Sequence, residues 1–287
     1  MRASLSVAII TLNEERNLPA CLESVRWAEE VVVCDSGSQD RTLEIARQRG
    51  ARTYQDPWRG FAGHKNLAVE RCGMPWVLVV DADERVTPEL RAAIERVLAD
   101  PAAADGYWVP RRNFFLGRWI RGGGWHPDAT IRLFRRGRGR FADRAVHEAV
   151  EVGGQVGYLQ APLEHFTYDS IGAYLTRMDR YSTLAAMELH RSGRAARVTD
   201  LILRPICTGL RMLCFQGGWR DGWRGLILAG LYACYVFSKY AKLWELGLGA
   251  ECRVPGAAEQ AQSVKRHAPC AEPAEPRAAN RETPPGA

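Results

Sequence analysis

The chain has 287 residues, with Lys+Arg 39 against Asp+Glu 33 for a formal net charge of +6, and is 46% hydrophobic and 25% charged. That length accommodates one large domain or two smaller ones with an ample core, and the composition excludes a collagen-like or wholly disordered chain. The 8 cysteines form neither a C-x-x-C pair nor a zinc spacing, so a disulfide scaffold and a zinc site are not expected and reduced cytosolic thiols are the default.

No run reaches the roughly 18 uninterrupted apolar residues of a spanning helix. Leu18-Pro19-Ala20-Cys21 has the look of a lipoprotein cleavage box, but Asn13-Glu14-Glu15-Arg16-Asn17 in front of it is no signal-peptide core, so a cytosolic chain is expected.

Residues 5–10, 31–33 and 76–80 are short apolar runs of the kind found in parallel strands covered on both faces. After the third, Thr87 can cap a helix with Pro88 at its first position and Glu89 following. Leu90, Ala93, Ile94, Val97 and Leu98 then give a helical core face that stops at Asp100-Pro101. Such a βαβ series predicts an α/β, Rossmann-like doubly wound sheet over residues 1–104. Residues 105–169 read as short β pieces broken by glycines. A helix opens at Ser170 and runs to about Arg191, and a second, unusually apolar helical block covers about 198–248, so 170–249 forms a helical region. Residues 250–287 contain no Leu, Ile, Phe, Tyr or Trp and predict a disordered tail.

The polar clusters fall where these strands end, which is where open parallel sheets bind ligands. Thr11-Leu12-Asn13-Glu14, Asp35-Ser36-Gly37-Ser38-Gln39-Asp40 and Asp81-Ala82-Asp83-Glu84 follow these three runs in turn. Neither G-x-G-x-x-G nor a P-loop is present, which removes the two commonest nucleotide readings. Asp81 and Asp83 form a D-x-D pair, hard oxygen ligands suited to Mg²⁺ or Mn²⁺ shared with substrate phosphates.

Taken together and in this order, these segments resemble the inverting family 2 glycosyltransferases of the GT-A fold. Closer resemblance is to bacterial lipopolysaccharide inner-core glucosyltransferases, through Trp58-Arg59-Gly60-Phe61, Lys65-Asn66, Gly123-Gly124-Trp125, Pro127-Asp128, Arg132-Leu133-Phe134 and Val146-His147-Glu148. His64 departs from the glutamine expected before Lys65-Asn66. The resemblance implies that Thr11, Asn13, Glu14, Asp35 and Ser36 hold the nucleotide, with Lys65 and Arg132 as cations beside it. It implies that Asp81 faces ribose or metal and that Asp83 is the main ligand of a divalent metal. On this reading residues 1–104 are the nucleotide-sugar half and 105–169 the acceptor half. An inverting transfer needs a base for the acceptor hydroxyl. Glu148 and Asp128 are the candidates, Glu148 being favoured because His147 beside it could orient it or reach the metal.

Residues 111–140 hold nine arginines against the single acid Asp128, which suits an anionic acceptor or a membrane surface, and Gly122-Gly123-Gly124 suggests a loop that approaches a ligand closely. Between Arg224 and Lys239 lie 14 uncharged residues, about 21 Å of helix and short of a bilayer core. Flanking arginines, lysines and tryptophans make an interfacial helix the preferred reading, over a buried hairpin or dimer interface. The expected function is transfer of a hexose, glucose from UDP-glucose, to a lipopolysaccharide inner-core acceptor. The expected partners are a nucleotide-diphosphate sugar, an anionic glycolipid and the inner face of the cytoplasmic membrane, with no nucleic acid. Another donor sugar or a polyprenyl-phosphate acceptor is the alternative within the class. A non-catalytic basic protein binding membrane or nucleic acid, on a degenerate scaffold of this kind, is the alternative outside it.

Overall fold

The computed structural model describes residues 2–142 and 149–249. Strands β1 (Leu5–Thr11), β2 (Glu30–Asp35), β3 (Arg52–Gln55) and β4 (Trp76–Asp81) form a parallel set in the order β3-β2-β1-β4. As the apolar runs predict, both faces are covered. Leu5, Val7 and Ile9 pack with α1 (Leu18–Val25) and with the helix at Pro88–Ala99, while Ala8, Val32, Val77 and Val79 pack with α3 (Gly60–Glu70). Between β2 and β3 lies α2 (Thr42–Gln48). The register pairs Thr11 with Asp35 and Ile10 with Asp81, so three of the predicted polar clusters emerge along one edge of the sheet.

Beyond β4 the chain turns through Ala82-Asp83 into the short β5 (Glu84–Val86) and then α4 (Pro88–Ala99). Thr87 caps that helix by accepting from the Leu90 amide, and the predicted face of Leu90, Ala93, Ile94, Val97 and Leu98 is buried.

The next segment is more regular than its sequence suggests. Strand β6 (Gly106–Phe115) is 10 residues long and central, followed by β7 (Arg118–Trp119), β8 (Ala129–Arg135), β9 (Gly139–Ala142), β10 (Ala149–Val152), β11 (Val156–Tyr158) and β12 (Leu163–Tyr168). The main sheet continues β4-β8-β6-β12-β5, with β8 antiparallel to β4 and β6, and β12 parallel to β6. Pro110 and two arginines disguise β6. Pro110 falls between Trp108, the last partner of β11, and Arg111, the first partner of β12, so its missing N–H leaves no gap in the ladder.

Ser170 caps α5 (Ile171–Arg191) by accepting from the Ala173 amide. The apolar block resolves into α6 (Val198–Leu210) and α7 (Trp223–Gly247), both packed together, joined by a π-helical turn at 211–215 and a 3₁₀ turn at 218–221. Gly217 and Gly222 in this connection have φ of 72° and 60°, a conformation open to glycine. Gly122 backs onto the same connection, where a Cβ would lie 2.3 Å from the Gly217 carbonyl oxygen. Asp221 accepts from the Arg121 and Gly122 amides at 3.0 and 2.8 Å. The close approach expected at Gly122-Gly123-Gly124 is therefore to the helical layer's own backbone. Helix α7 also differs from expectation. At 25 residues it is long and apolar enough to cross a membrane by length and composition, a test that core helices of soluble proteins also pass. Counting only the uncharged stretch missed this, because Arg224 and Lys239 remain within the helix.

Candidate active site

The loop after β1 and the loop after β2 are stitched to each other. Thr11 Oγ1 donates to Asp35 Oδ1 at 3.0 Å, and the Gly37 and Ser38 amides donate to Asp35 Oδ2 at 2.9 and 2.8 Å. The Ser38 hydroxyl also donates to Asp35 Oδ1. With four donors on two oxygens, the fully buried Asp35 carboxylate has its acceptor positions used within the chain. Ser36 Oγ likewise donates to the Thr11 carbonyl at 3.1 Å. Thr11, Asp35 and Ser36 thus hold these two loops from behind. Asn13 sits in a left-handed conformation with φ 52°, its amide donating to Ser38 Oγ at 2.7 Å and its Oδ1 accepting from the Gln39 amide at 2.7 Å. Its neighbour Glu14 is buried, with its amide donating to Thr42 Oγ1 at 2.7 Å.

Asn13 and Glu14 open onto a cleft of about 610 Å³ whose other walls include Asp83, Thr167, Tyr168 and Arg177. Sequence reasoning missed Arg177. It extends from α5 with its guanidinium carbon 4.5 Å from the centre of the Tyr168 ring. Burial alone would disfavour its charge, but Tyr168 and Asp83 keep it firmly cationic.

Behind the cleft, Asp81 lies between two cations. Lys65 Nζ is 3.1 Å from Oδ1 and Arg132 Nη2 is 2.7 Å from Oδ2. Arg132 Nη2 also donates to Glu84 Oε1 at 2.6 Å, and Glu84 Oε2 accepts from the Asp81 amide at 2.8 Å. Burial would raise the Asp81 carboxyl, but the Arg132 and Lys65 charges overcome it and hold it well below the usual carboxylate range. Arg132 is kept cationic in return: burial opposes its charge, and Asp81 and Glu84 more than compensate. Lys65 and Arg132 thus flank Asp81 and fix it at the strand end. His64, the residue that departs from the family pattern, is buried, its ring centroid 5.3 Å from that of Trp58.

Asp83, in the turn after β4, is 1% exposed, and its Oδ2 lies 3.3 Å from His165 Nε2. His165 belongs to β12, where it pairs with Asn113 of β6 on one side and Glu84 of β5 on the other. Nothing in its sequence setting, Glu164-His165-Phe166, signals chemistry. The carboxylate suits Mg²⁺ or Mn²⁺, and the imidazole nitrogen beside it favours a first-row transition ion such as Mn²⁺ over Mg²⁺. Among the described residues no group of three or more His, Cys, Asp or Glu side chains gathers for a metal.

Asp128, the other candidate base, is held by an arginine and an asparagine. Arg111 grips it through Nε to Oδ2 at 3.0 Å and Nη2 to Oδ1 at 3.1 Å, and Asn113 Nδ2 donates to Oδ2 at 2.8 Å. Burial pushes its carboxyl up, but Arg111 and these hydrogen bonds bring it below its ordinary value. The preferred base, Glu148, and its neighbour His147 lie outside the described residues. The arginine-rich stretch is not one basic patch. Arg111 and Arg132 are internal ion-pair partners, Arg135 stacks on Trp76 at 4.7 Å, and Arg112 and Arg121 lie against Trp119.

Residues 6–166, more than half of the chain and including Asn13, Glu14, Asp83 and His165, match the family model described as glycosyl transferase family 2. Among curated proteins, the chain is 36% identical over 248 residues to the lipopolysaccharide core biosynthesis glycosyltransferase LpsC of Rhizobium meliloti, covering 84% of this chain and 92% of that one. It is 29% identical to an uncharacterized glycosyltransferase of Rickettsia typhi, covering 85% and 88%. Among solved structures, S. aureus TarS 1–349 aligns with 87% of this chain and 93% of its own, at 16% identity and a TM-score of 0.44. The parallel β3-β2-β1-β4 set with its D-x-D turn is the arrangement expected of the GT-A fold, and the chain belongs to glycosyl transferase family 2.

Proposed function

We propose that this glycosyltransferase moves glucose from UDP-glucose, with inversion, to an inner-core sugar of lipopolysaccharide. The observation that carries the reading is Asp83, buried at the turn after β4, on the wall of the cleft and 3.3 Å from His165. Asp83 and His165 would hold a divalent cation. When bound, such an ion neutralises the charge that builds on a departing diphosphate. Asn13 and Glu14 would meet the base and ribose, a carboxylate accepting from N–H or hydroxyl. Arg177 brings a positive charge to the same cleft for the diphosphate oxygens. Glu148 would take the proton from the acceptor hydroxyl. The lipopolysaccharide acceptor is supported by the match over nearly the whole length of LpsC.

On this reading residues 1–104 and 105–169 are the donor and acceptor halves, and 170–249 brings the enzyme to the inner face of the cytoplasmic membrane. Support for the last point is apolar surface left open on the helical layer: Ile202, Ile206 and Leu210 are more than half exposed, Phe215 is 88% and Trp223 80% exposed, with Trp219 beside them. Arg204, Arg211, Arg220 and Arg224 alternate with these residues along the chain, as in helices that lie in a lipid interface. A donor screen that measures nucleotide release with purified lipopolysaccharide core fragments tests the reading. UDP release that depends on UDP-glucose and a heptose-containing acceptor supports it. Preference for another donor would replace the sugar, and no release from any nucleotide sugar would remove the reading.

A further inference from the structure

The side chains that lead away from Asp83 form a directed chain ending at an ion pair. Rested on the reading that Asp83 and His165 hold a divalent cation, this chain assigns a role to a residue outside the coordination pair. Asn113 is 1% exposed and is the direct register partner of His165 across the parallel β6–β12 ladder, so both side chains leave the same face. Its Nδ2 donates to the Trp125 carbonyl at 3.1 Å and to Asp128 Oδ2 at 2.8 Å. Both partners are acceptors only, since Asp128 is ionised by its two-point contact with Arg111. Turning the amide over would bring its oxygen against both of them, so the network fixes which end is which. The remaining end, Asn113 Oδ1, is 2.7 Å from His165 Nδ1.

An amide oxygen accepts, so Nδ1 must carry the hydrogen. A neutral imidazole with its proton on Nδ1 has its lone pair on Nε2, and Nε2 faces Asp83 Oδ2 at 3.3 Å. A lone pair and a carboxylate oxygen aimed at one another repel unless a proton or a metal cation lies between them, and at a pH where the imidazole is neutral the metal is the candidate. Metal-bound histidines are commonly oriented in this way, by a hydrogen bond to the ring nitrogen that does not touch the metal.

We propose that Asn113, held in orientation by Asp128 and the Trp125 carbonyl, is a positioning residue that sets His165 in its Nδ1–H form and so prepares Nε2 as a ligand for Mg²⁺ or Mn²⁺. The carboxylate expected as a base thereby acts as the anchor of the metal site. Only a side chain with a donor and an acceptor on one rigid plane does this at position 113. Aspartate lacks the donors and leucine lacks both.

The test has two readings. In metal-free wild type at a pH where imidazole is neutral, ¹⁵N NMR of the ring nitrogens, with His165→Gln used to assign the signal, should give a protonated Nδ1 and an unprotonated Nε2. In Asn113→Ser the same ring should show both tautomers, and Mn²⁺ affinity followed by electron paramagnetic resonance in the presence of UDP should fall about 10–100-fold. Binding of UDP without metal should stay within experimental scatter. A merely structural asparagine would leave the tautomer unchanged. A proton on Nε2 in wild type overturns the proposal whatever the metal result, and it does so even if Asn113→Ser cannot be purified folded. Unchanged Mn²⁺ affinity in a folded Asn113→Ser overturns it too. A protonated Nδ1 in a wild type that binds no Mn²⁺ removes the metal reading itself, and the purpose assigned to Asn113 falls with it.

Discussion

Arg132 Nη2 donates to Asp81 Oδ2 at 2.7 Å, linking β8 to the carboxyl end of β4 across the sheet. The same nitrogen serves Glu84, and Lys65 closes the other side of Asp81. The cluster fixes the turn that carries Asp83 and does so from inside the protein.

Removing the central cation should therefore cost stability before it costs chemistry. Arg132→Met leaves Asp81 and Glu84 without their shared partner, and breaking a buried pair in this way costs about 3–5 kcal/mol. Urea unfolding reads this as a lower midpoint with an unchanged slope. The pH dependence has a defined sign. Asp81 and Asp128 both have folded values below their ordinary range, so their stabilising effect is full above the unfolded value of about 3.9 and is lost as pH falls through the folded values. Acid unfolding should thus be driven below about pH 4, and Asp81→Asn should flatten that part of the profile. A profile identical to wild type in both variants would mean that the cluster contributes little.

The assignment of the base is open to direct comparison. Glu148→Gln keeps shape but cannot take a proton, so turnover should fall about 10²–10⁴-fold with donor binding nearly unchanged. Asp128→Asn should instead weaken metal affinity, because the residue it supports is Asn113. If metal affinity holds in Asp128→Asn while turnover collapses at saturating metal, the base is Asp128 and Glu148 has another task.

Much of this site was legible in the residue order. The three polar clusters sit where parallel strands end, and the register of β1 with β2 and β4 brings them to one edge. Helix α4 could be read from Thr87 to Ala99 because cap, proline and apolar spacing all agree. What stayed hidden depends on pairing across long sequence distances. His165 and Asn113 carry no local signal and meet only because β12 adds beside β6. The roles of Asp81 and Asp128 were read from type and position, and cations 51 and 17 residues away decide what those carboxylates can do. Gly122 likewise answers to Gly217, which spacing could not reveal.

The helical layer makes a separate prediction. Apolar residues and basic side chains near an anionic surface act together, each Lys or Arg adding about 1 kcal/mol and being screened by salt. Wild type should sediment with anionic vesicles at low salt and release partly as salt rises. Replacing the exposed Trp219 and Trp223 with serine removes two anchors without adding charge, and binding should drop while the fold holds. Equal binding by that variant would show that these tryptophans do not touch lipid. Indifference of the wild type to vesicles at low salt would assign the layer to another partner.

The central claim is that Asp83 holds the metal for transfer from a nucleotide-diphosphate sugar. Asp83 ends a strand turn and makes its contact with His165 at the cleft wall, so Asp83→Ala should fold. The decisive measurement follows labelled glucose from UDP-glucose onto purified lipopolysaccharide core acceptor, in wild type and Asp83→Ala, with Mn²⁺ and with excess chelator. The account predicts β-linked product from wild type with Mn²⁺, and none from the chelated enzyme or the variant. Product formed at the wild-type rate by folded Asp83→Ala, or by wild type in excess chelator, would contradict it.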